Sequence, residues 1–208
     1  QRVADLEVLL EKLEVDDNIT LVVHDWGGMI GMSYATRHPE KIKRLVILNT
    51  GAFHLPKTKP FPWSLWFCRT PLLGSLLVRG ANAFSRAAIR WCVTKKPLTP
   101  EIRHGYLAPY DTWDNRVAVL RFVQDIPLRP GDEGYELVSL VEDNIQQFRK
   151  VPTVICWGEK DFVFDFPQAR HHFYSAHAWS VGCFRIVSER VLPARWLTGR
   201  PFPLLVGN

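Results

Sequence analysis

The sequence contains no uninterrupted run of 18 apolar residues, so no segment reads as a helix long enough to span a bilayer. No CxxC pair is present. The four cysteines, Cys68, Cys92, Cys156 and Cys183, are scattered, and Cys156 lies within an apolar, strand-like run. The pattern reads as buried reduced thiols rather than a disulfide framework. No basic-then-apolar leader precedes the first charged, amphipathic stretch, which says little about location in a chain that reads as a fragment; a cytoplasmic location is the expectation. Lysine and arginine do not cluster among aromatics, despite a formal net charge of +5. Residues 1–163 hold 21 basic and 19 acidic side chains, residues 164–208 hold 5 and 2, and none of the 9 lysines lies beyond Lys160. Such a distribution offers no stripe for a nucleic-acid backbone, so no nucleic-acid partner is expected.

What is there is the material of a globular core. The 208 residues are 47% hydrophobic and 23% charged, enough apolar surface for one real core and too little charge for disorder. Val3, Leu6, Leu10 and Leu13 recur at helical spacing within residues 2–14, and Asp16-Asp17-Asn18 ends that segment. Ile19 to Val23 is short, β-branched and continuously apolar, the pattern of a strand buried on both faces. Gly27 to Arg37 reads as a compact helix closed by Pro39, and Ile42 to Leu48 as the next strand. Strand, helix, strand with short joins predicts a parallel sheet with crossover helices, an α/β fold.

After Gly51 the texture becomes short helical patterns broken by Pro and Gly, of which Ala81–Val93 and Asn115–Asp125 are the clearest. Trp63, Trp66, Trp91 and Trp113 fall here. The region reads as a helical insertion whose aromatics either fill its own core or roof an apolar, water-poor site. Val151 to Trp157 returns to a buried strand. The resulting division is 1–52 as the first part of the core, 53–147 as a helical cap and 148–208 as the second part of the core. From about residue 166 periodicity fades, Lys vanishes and Asp and Glu nearly vanish, with one strand expected at Cys183–Val187. This tail reads as a rearranged end. Three clear strands are few for this much helix, so further strands are expected upstream, in a longer protein.

Chemistry concentrates at Val23-His24-Asp25-Trp26-Gly27-Gly28. A tight strand-to-helix turn projects a side chain from the sheet edge, demands small neighbours and places it against a helix N-terminus. This is the elbow of the G-x-S-x-G type with Asp in the serine's place. A carboxylate needs no base to activate it and attacks saturated carbon, giving an alkyl ester. Asp25 is therefore the candidate nucleophile; helix capping is the plainer reading, and the two are compatible. Trp26 follows, its indole N–H a single donor suited to a leaving halide or oxyanion. His24 points the opposite way from its neighbour on a strand, toward packing beneath the turn or a supporting hydrogen bond. Asp161 lies just past the Val151–Trp157 strand, at the sheet edge where catalytic groups collect, or is a solvated turn carboxylate. Asn49 sits at another strand end but carries no charge to serve as the acid. Of the seven histidines, His177 is best placed to act as a base held by Asp161, with His172 behind it. Tyr106 and Tyr110, four apart on one helical face, are a weaker pair able to activate an epoxide oxygen.

VVHDWGGMIG, LVILNTGAF, the helical insertion and VICWGEKDFVF together resemble the haloalkane dehalogenases of the α/β-hydrolase superfamily, over residues 1 to about 165. The resemblance implies an α/β-hydrolase sheet, here incomplete, with a cap insertion and no cofactor or metal. It implies that Asp25 displaces halide from a haloalkane carbon, that Trp26 binds the halide, and that Asp161 with a histidine drives water onto the ester. The partners would be a small halogenated or strained-ring substrate, water and halide. A second halide donor would come from Trp63, Trp66, Trp91 or Trp113, or from an upstream residue. His177 stands where the family histidine belongs, without the glycine that precedes it there and at a shortened distance from Asp161. Epoxide hydrolases share HDWGG, as do β-lactone decarboxylases of bacterial olefin synthesis, which would use Asp25 on a strained ring and release carbon dioxide. A catalytically silent scaffold is the alternative of another class.

Overall fold

The computed structural model describes residues 1–55, 60–93, 96–158, 161 and 163–164, together with the backbone at 181–187 and 190–193. In chain order, helix α1 (Arg2–Lys12) precedes strand β1 (Ile19–Asp25), helix α2 (Trp26–Arg37) and strand β2 (Ile42–Thr50). Five short helices follow: α3 (Trp63–Arg69), α4 (Pro71–Gly74), α5 (Ala83–Trp91), α6 (Pro100–Leu107) and α7 (Val117–Gln124). Helix α8 (Tyr135–Asn144) then leads through a 3-10 turn to β3 (Thr153–Gly158), β4 (Val181–Val187) and β5 (Arg190–Pro193). The chain forms two compact units, residues 1–56 with 135–208, and residues 57–134.

In the first unit the strands lie in the order β1-β2-β3-β4-β5. The first four are parallel and β5 returns antiparallel to β4. Strand β4 covers the Cys183–Val187 expectation and begins two residues earlier, while β5 has no counterpart in the sequence reading. Helix α2 packs on β1 and β2 and against α1 and α8. Val23, Met32, Ala35, Leu45, Ile47, Val141, Phe148, Ile155 and Trp157 make the centre of the core. Glu7 of α1 pairs with Arg37 (3.1 Å) and His38 (3.3 Å) at the end of α2. His54 stacks on Tyr135 at 3.9 Å and meets the Ser139 hydroxyl at 2.8 Å, tying the segment after β2 to α8.

Three expectations change. Strand β1 is not buried on both faces: Val23 is covered by helices, but Val22 is 59% exposed and Thr20 and His24 are also exposed. Among the described strands β1 lies at the edge of the sheet. Leu13 leaves the buried stripe because α1 stops at Lys12 and Glu14 turns the chain at φ 54°. The cysteines are less enclosed than expected: Cys92 is exposed, and Cys68 and Cys156 are half-buried, with burial raising both thiols above their ordinary pKa. The Cys183 side chain lies outside the described residues.

The second unit is held by small contacts. Val78, Leu120 and Val123 are buried, and Gly74 lies so close to Cys68 that an added Cβ would stand 2.1 Å from its carbonyl oxygen. The Arg116 guanidinium gathers the carbonyls of Arg79, Gly80, Tyr110 and Asp111. Trp63, Trp66, Trp91 and Trp113 are all exposed and do not fill this core. Helices of 4 to 9 residues offer too little surface to enclose an indole. Tyr106 and Tyr110 are not on one helix either. α6 ends at Leu107, and Pro109, lacking an N–H to bond back, sits in the 3-10 turn Ala108–Tyr110.

Candidate active site

Asp25 closes β1 and opens α2 at φ 49° and ψ −125°, a conformation L-residues rarely adopt. The β1–β2 register slips between Val23 and Asp25, which places Asp25 opposite Thr50. The Thr50 hydroxyl donates to the Asp25 carbonyl oxygen and so pins the turned peptide. Gly28 is required for the turn to close, because a Cβ there would stand 1.9 Å from Thr50 Oγ1 and 2.8 Å from the Gly51 carbonyl oxygen. At Gly31 a Cβ would stand 2.7 Å from a Val23 methyl, so this glycine sets the approach of α2 to β1. Gly27 meets nothing within 4 Å; the crowding inferred at that position is absent.

The Asp25 side chain is open to solvent at the sheet edge, yet protein atoms crowd its carboxyl enough to matter electrostatically. Its pKa is raised above the ordinary aspartate value, first by burial and also by the like charge of Asp161. His24 and the Trp26 backbone N–H act in the opposite direction. A carboxylate raised in this way is less fully stabilised as the anion than an ordinary aspartate. His24 is exposed rather than packed beneath the turn.

Asp161 stands past the end of β3 and is held at both oxygens. Oδ1 accepts the backbone N–H groups of Val163 and Phe164, each at 2.8 Å, and Oδ2 accepts from Asn49 Nδ2 at 2.7 Å. Asn49 also donates to the Gly158 carbonyl (3.1 Å) and accepts the Gly158 N–H (2.7 Å). It thus stitches the end of β2 to the end of β3 and aims the carboxylate. Sequence reasoning set Asn49 aside for its lack of charge; its position at a strand end beside the acid's strand was the available signal. The loop is braced further by the buried Trp157, whose indole N–H donates to the Phe164 carbonyl at 2.9 Å.

Trp26 is the first residue of α2 and half-buried, with the Arg2 guanidinium 5.7 Å over its ring. His177 and His172 lie outside the described residues. Among the described residues no group of three or more His, Cys, Asp or Glu is arranged to hold a metal. No helix among them is long and apolar enough to cross a membrane.

A strained strand-to-helix turn on a parallel sheet, with a held carboxylate past a neighbouring strand, defines a class of protein, and comparison with known families agrees. The family model for the alpha/beta hydrolase fold matches residues 3–173, and the chain belongs to that family. Among curated proteins it is 63% identical over 164 residues to a cis-3-alkyl-4-alkyloxetan-2-one decarboxylase of Shewanella oneidensis, covering 79% of this chain and 52% of that protein. It is 44% identical over 164 residues to a protein of the same name from Xanthomonas campestris pv. campestris, covering 79% and 54%. A haloalkane dehalogenase of Mycobacterium marinum is 29% identical over 150 residues, covering 68% and 45%. The chain spans about half the length of the curated relatives it matches. Its fold is that of the haloalkane dehalogenases. The crystal structure of DatA from Agrobacterium tumefaciens C58 superposes with a TM-score of 0.70 at 19% identity, covering 86% of this chain and 62% of that one. DbeA from Bradyrhizobium elkani gives 0.70 at 18%, covering 87% and 62%.

Proposed function

We propose that the protein is a β-lactone decarboxylase acting on an oxetan-2-one with two alkyl arms, and that Asp25 is its nucleophile. The observation that carries this reading is the 63% identity to a decarboxylase of that substrate class, against 29% for the dehalogenase. This reverses the order expected from the motifs, which are common to both chemistries.

The chemistry suits the site. The Asp25 carboxylate attacks the ring carbon that bears the ring oxygen, from the face opposite the C–O bond. That bond breaks, its electrons pass to oxygen, and an Asp25 alkyl ester carrying a free carboxylate results. The carboxylate then leaves as carbon dioxide. Its C–C electrons form the alkene while the Asp25 carboxylate departs from the neighbouring carbon. Inversion followed by anti departure converts a cis-lactone into a cis-alkene. Asp25 is regenerated, and neither water nor a proton is consumed. Trp26 donates to the oxygen or halide released in the first step, and Asp161 orients His177 as the base for any ester that water must clear. Dehalogenation differs only at the second step, where an alkyl ester without its own carboxylate requires activated water.

Incubation of the purified protein with a cis-3,4-dialkyl-oxetan-2-one, 1-bromobutane and a terminal epoxide separates these readings. The expected result is cis-alkene and carbon dioxide from the lactone, with little bromide or diol. Bromide release without alkene would instead make it a dehalogenase. In His177→Gln, lactone turnover should stay within about tenfold of the parent, whereas bromobutane should leave an alkyl adduct on Asp25 visible by mass spectrometry. No turnover of any substrate and no adduct on Asp25 would leave a silent scaffold.

A further inference from the structure

The second unit carries an exposed surface that is both apolar and basic. Between Glu40 and Glu101 the chain has no acidic residue at all, and residues 57–100 hold eight basic ones, Lys57, Lys59, Arg69, Arg79, Arg86, Arg90, Lys95 and Lys96, among Trp63, Trp66 and Trp91, which corrects the expectation that basic residues do not cluster among aromatics. The same stretch carries large apolar side chains that folding leaves in solvent. Trp63 is 76% exposed, Leu72 83% and Leu76 64%, and Trp66 and Phe67 are exposed beside them. Trp63 and Phe67 sit four apart on α3 with their rings edge to face at 6.1 Å, and Leu72 and Leu76 are likewise four apart. Helices α3 and α4 and the turn Ser75–Gly80 pack on one another, so these side chains crown a single small region.

Positive charge is placed within it. The exposed Arg129 guanidinium lies 6.0 Å over the Trp66 ring. Asp132, three residues further on, is occupied by Arg69 (2.9 Å) and by the backbone N–H groups of Leu128 and Arg129. On α5, which packs against the same turn, Arg86 and Arg90 are exposed four residues apart. Protruding indoles and leucines, with Arg129 over one of them and with Arg86 and Arg90 on an adjoining helix and in no ion pair among the described residues, are ill-suited to water. They match the boundary between lipid headgroups and acyl chains, where an indole spans the apolar and wet layers and arginine meets anionic headgroups.

We propose that the α3–α4 face, with Arg129, Arg86 and Arg90, docks the protein on the surface of an anionic lipid bilayer. The charge selects lipid over a neutral protein partner, and the leucine and indole side chains select a bilayer over nucleic acid, whose phosphates would leave them in water. Docking of this kind does not depend on the proposed decarboxylation. It would, however, suit a substrate with two alkyl arms, which partitions into acyl chains.

The test is flotation of the purified protein with vesicles of phosphatidylcholine alone or mixed with phosphatidylglycerol. Binding is expected only to the mixed vesicles. It should fall at least about fivefold in high salt, with a blue shift of tryptophan emission on binding and quenching by brominated acyl chains. Trp63→Ser/Leu72→Ser should lose the quenching and most of the binding. Arg86→Glu/Arg129→Glu should lose the preference for phosphatidylglycerol. All substituted side chains are exposed, and an unchanged far-UV spectrum identifies variants that keep the fold. The proposal is overturned if the parent does not float with anionic vesicles, or if both double variants float as the parent does. It is equally overturned if the protein retards short nucleic acid more strongly than it binds vesicles, or forms a dimer that buries Trp63. Lactone turnover is measured separately in detergent, so loss of one property leaves the other readable.

Discussion

At Asp25 the backbone adopts a conformation that costs an L-residue of order 1–3 kcal/mol, and the neighbouring residues hold it there. Thr50 bonds the turned carbonyl, and Gly28 leaves the room in which Thr50 and Gly51 sit. Gly28→Ala should therefore lower stability by about 3 kcal/mol or more, because backbone as well as side chain stands in the way. Gly27→Ala should be neutral or slightly stabilising, since its Cβ meets open space and alanine is the better helix former by about 1 kcal/mol. Urea denaturation midpoints of the two variants check the contrast. The HDWGG string announces a turn but does not distinguish its two glycines, because the difference lies in what β2 brings alongside. Asn49 is a similar case: its type says little, and its three hydrogen bonds across the ends of β2 and β3 say what it is for.

Among elements, the ones read most closely from sequence are those whose pattern is repeated by packing. α2 and β2 appear within two residues of their expected ends because Pro39 stops the helix and β-branched residues line the strand. The loop after β3 was less legible, since Gly158-Glu159-Lys160-Asp161 spells only a turn. Its order comes from beneath: Trp157 is wholly buried and its indole donates to the Phe164 carbonyl. Trp157→Phe should remove that bond and leave a gap, costing about 2–3 kcal/mol. It should also slow the clearance of an Asp25 alkyl ester formed with 1-bromobutane, the step the proposed mechanism gives to Asp161, while lactone turnover stays within about tenfold of the parent; adduct lifetimes by mass spectrometry, beside thermal melts, measure both. Tyr106 and Tyr110 illustrate the opposite error, in which regular spacing implied a helix that Pro109 interrupts.

For the whole molecule, the raised pKa of Asp25 links activity and stability to pH in opposite senses. On the proposed mechanism attack requires the carboxylate, so activity should fall as pH drops through the raised value, on a limb above the ordinary aspartate range. Asp161→Asn removes the like charge and should move that limb to lower pH, as a kcat/KM profile would reveal. Stability runs the other way. Between the unfolded and folded pKa values the native state holds the proton more tightly, so its stabilising contribution is present at low pH and lost as pH rises through the folded value. Asp25→Asn should accordingly gain stability relative to the parent as pH increases upward from the ordinary aspartate range, a difference that paired denaturation curves at each pH would register. If the two curves stay parallel, Asp25 does not carry a raised pKa.

Local sequence determined the elements and the turn that carries Asp25: periodicity sets α1, α2, β1, β2 and β3, and a carboxylate between a β-branched strand and small residues marks the strand-to-helix turn. Those are short-range properties, settled by φ/ψ preference and side-chain volume within one turn. Tertiary structure decided what depends on residues far apart in the chain. It joined Asn49 to Asp161 across 112 positions, found Gly28 indispensable and Gly27 idle, and left the tryptophans of the second unit in solvent. Burial and hydrogen bonding are relations between surfaces, and only the folded chain specifies which surfaces meet.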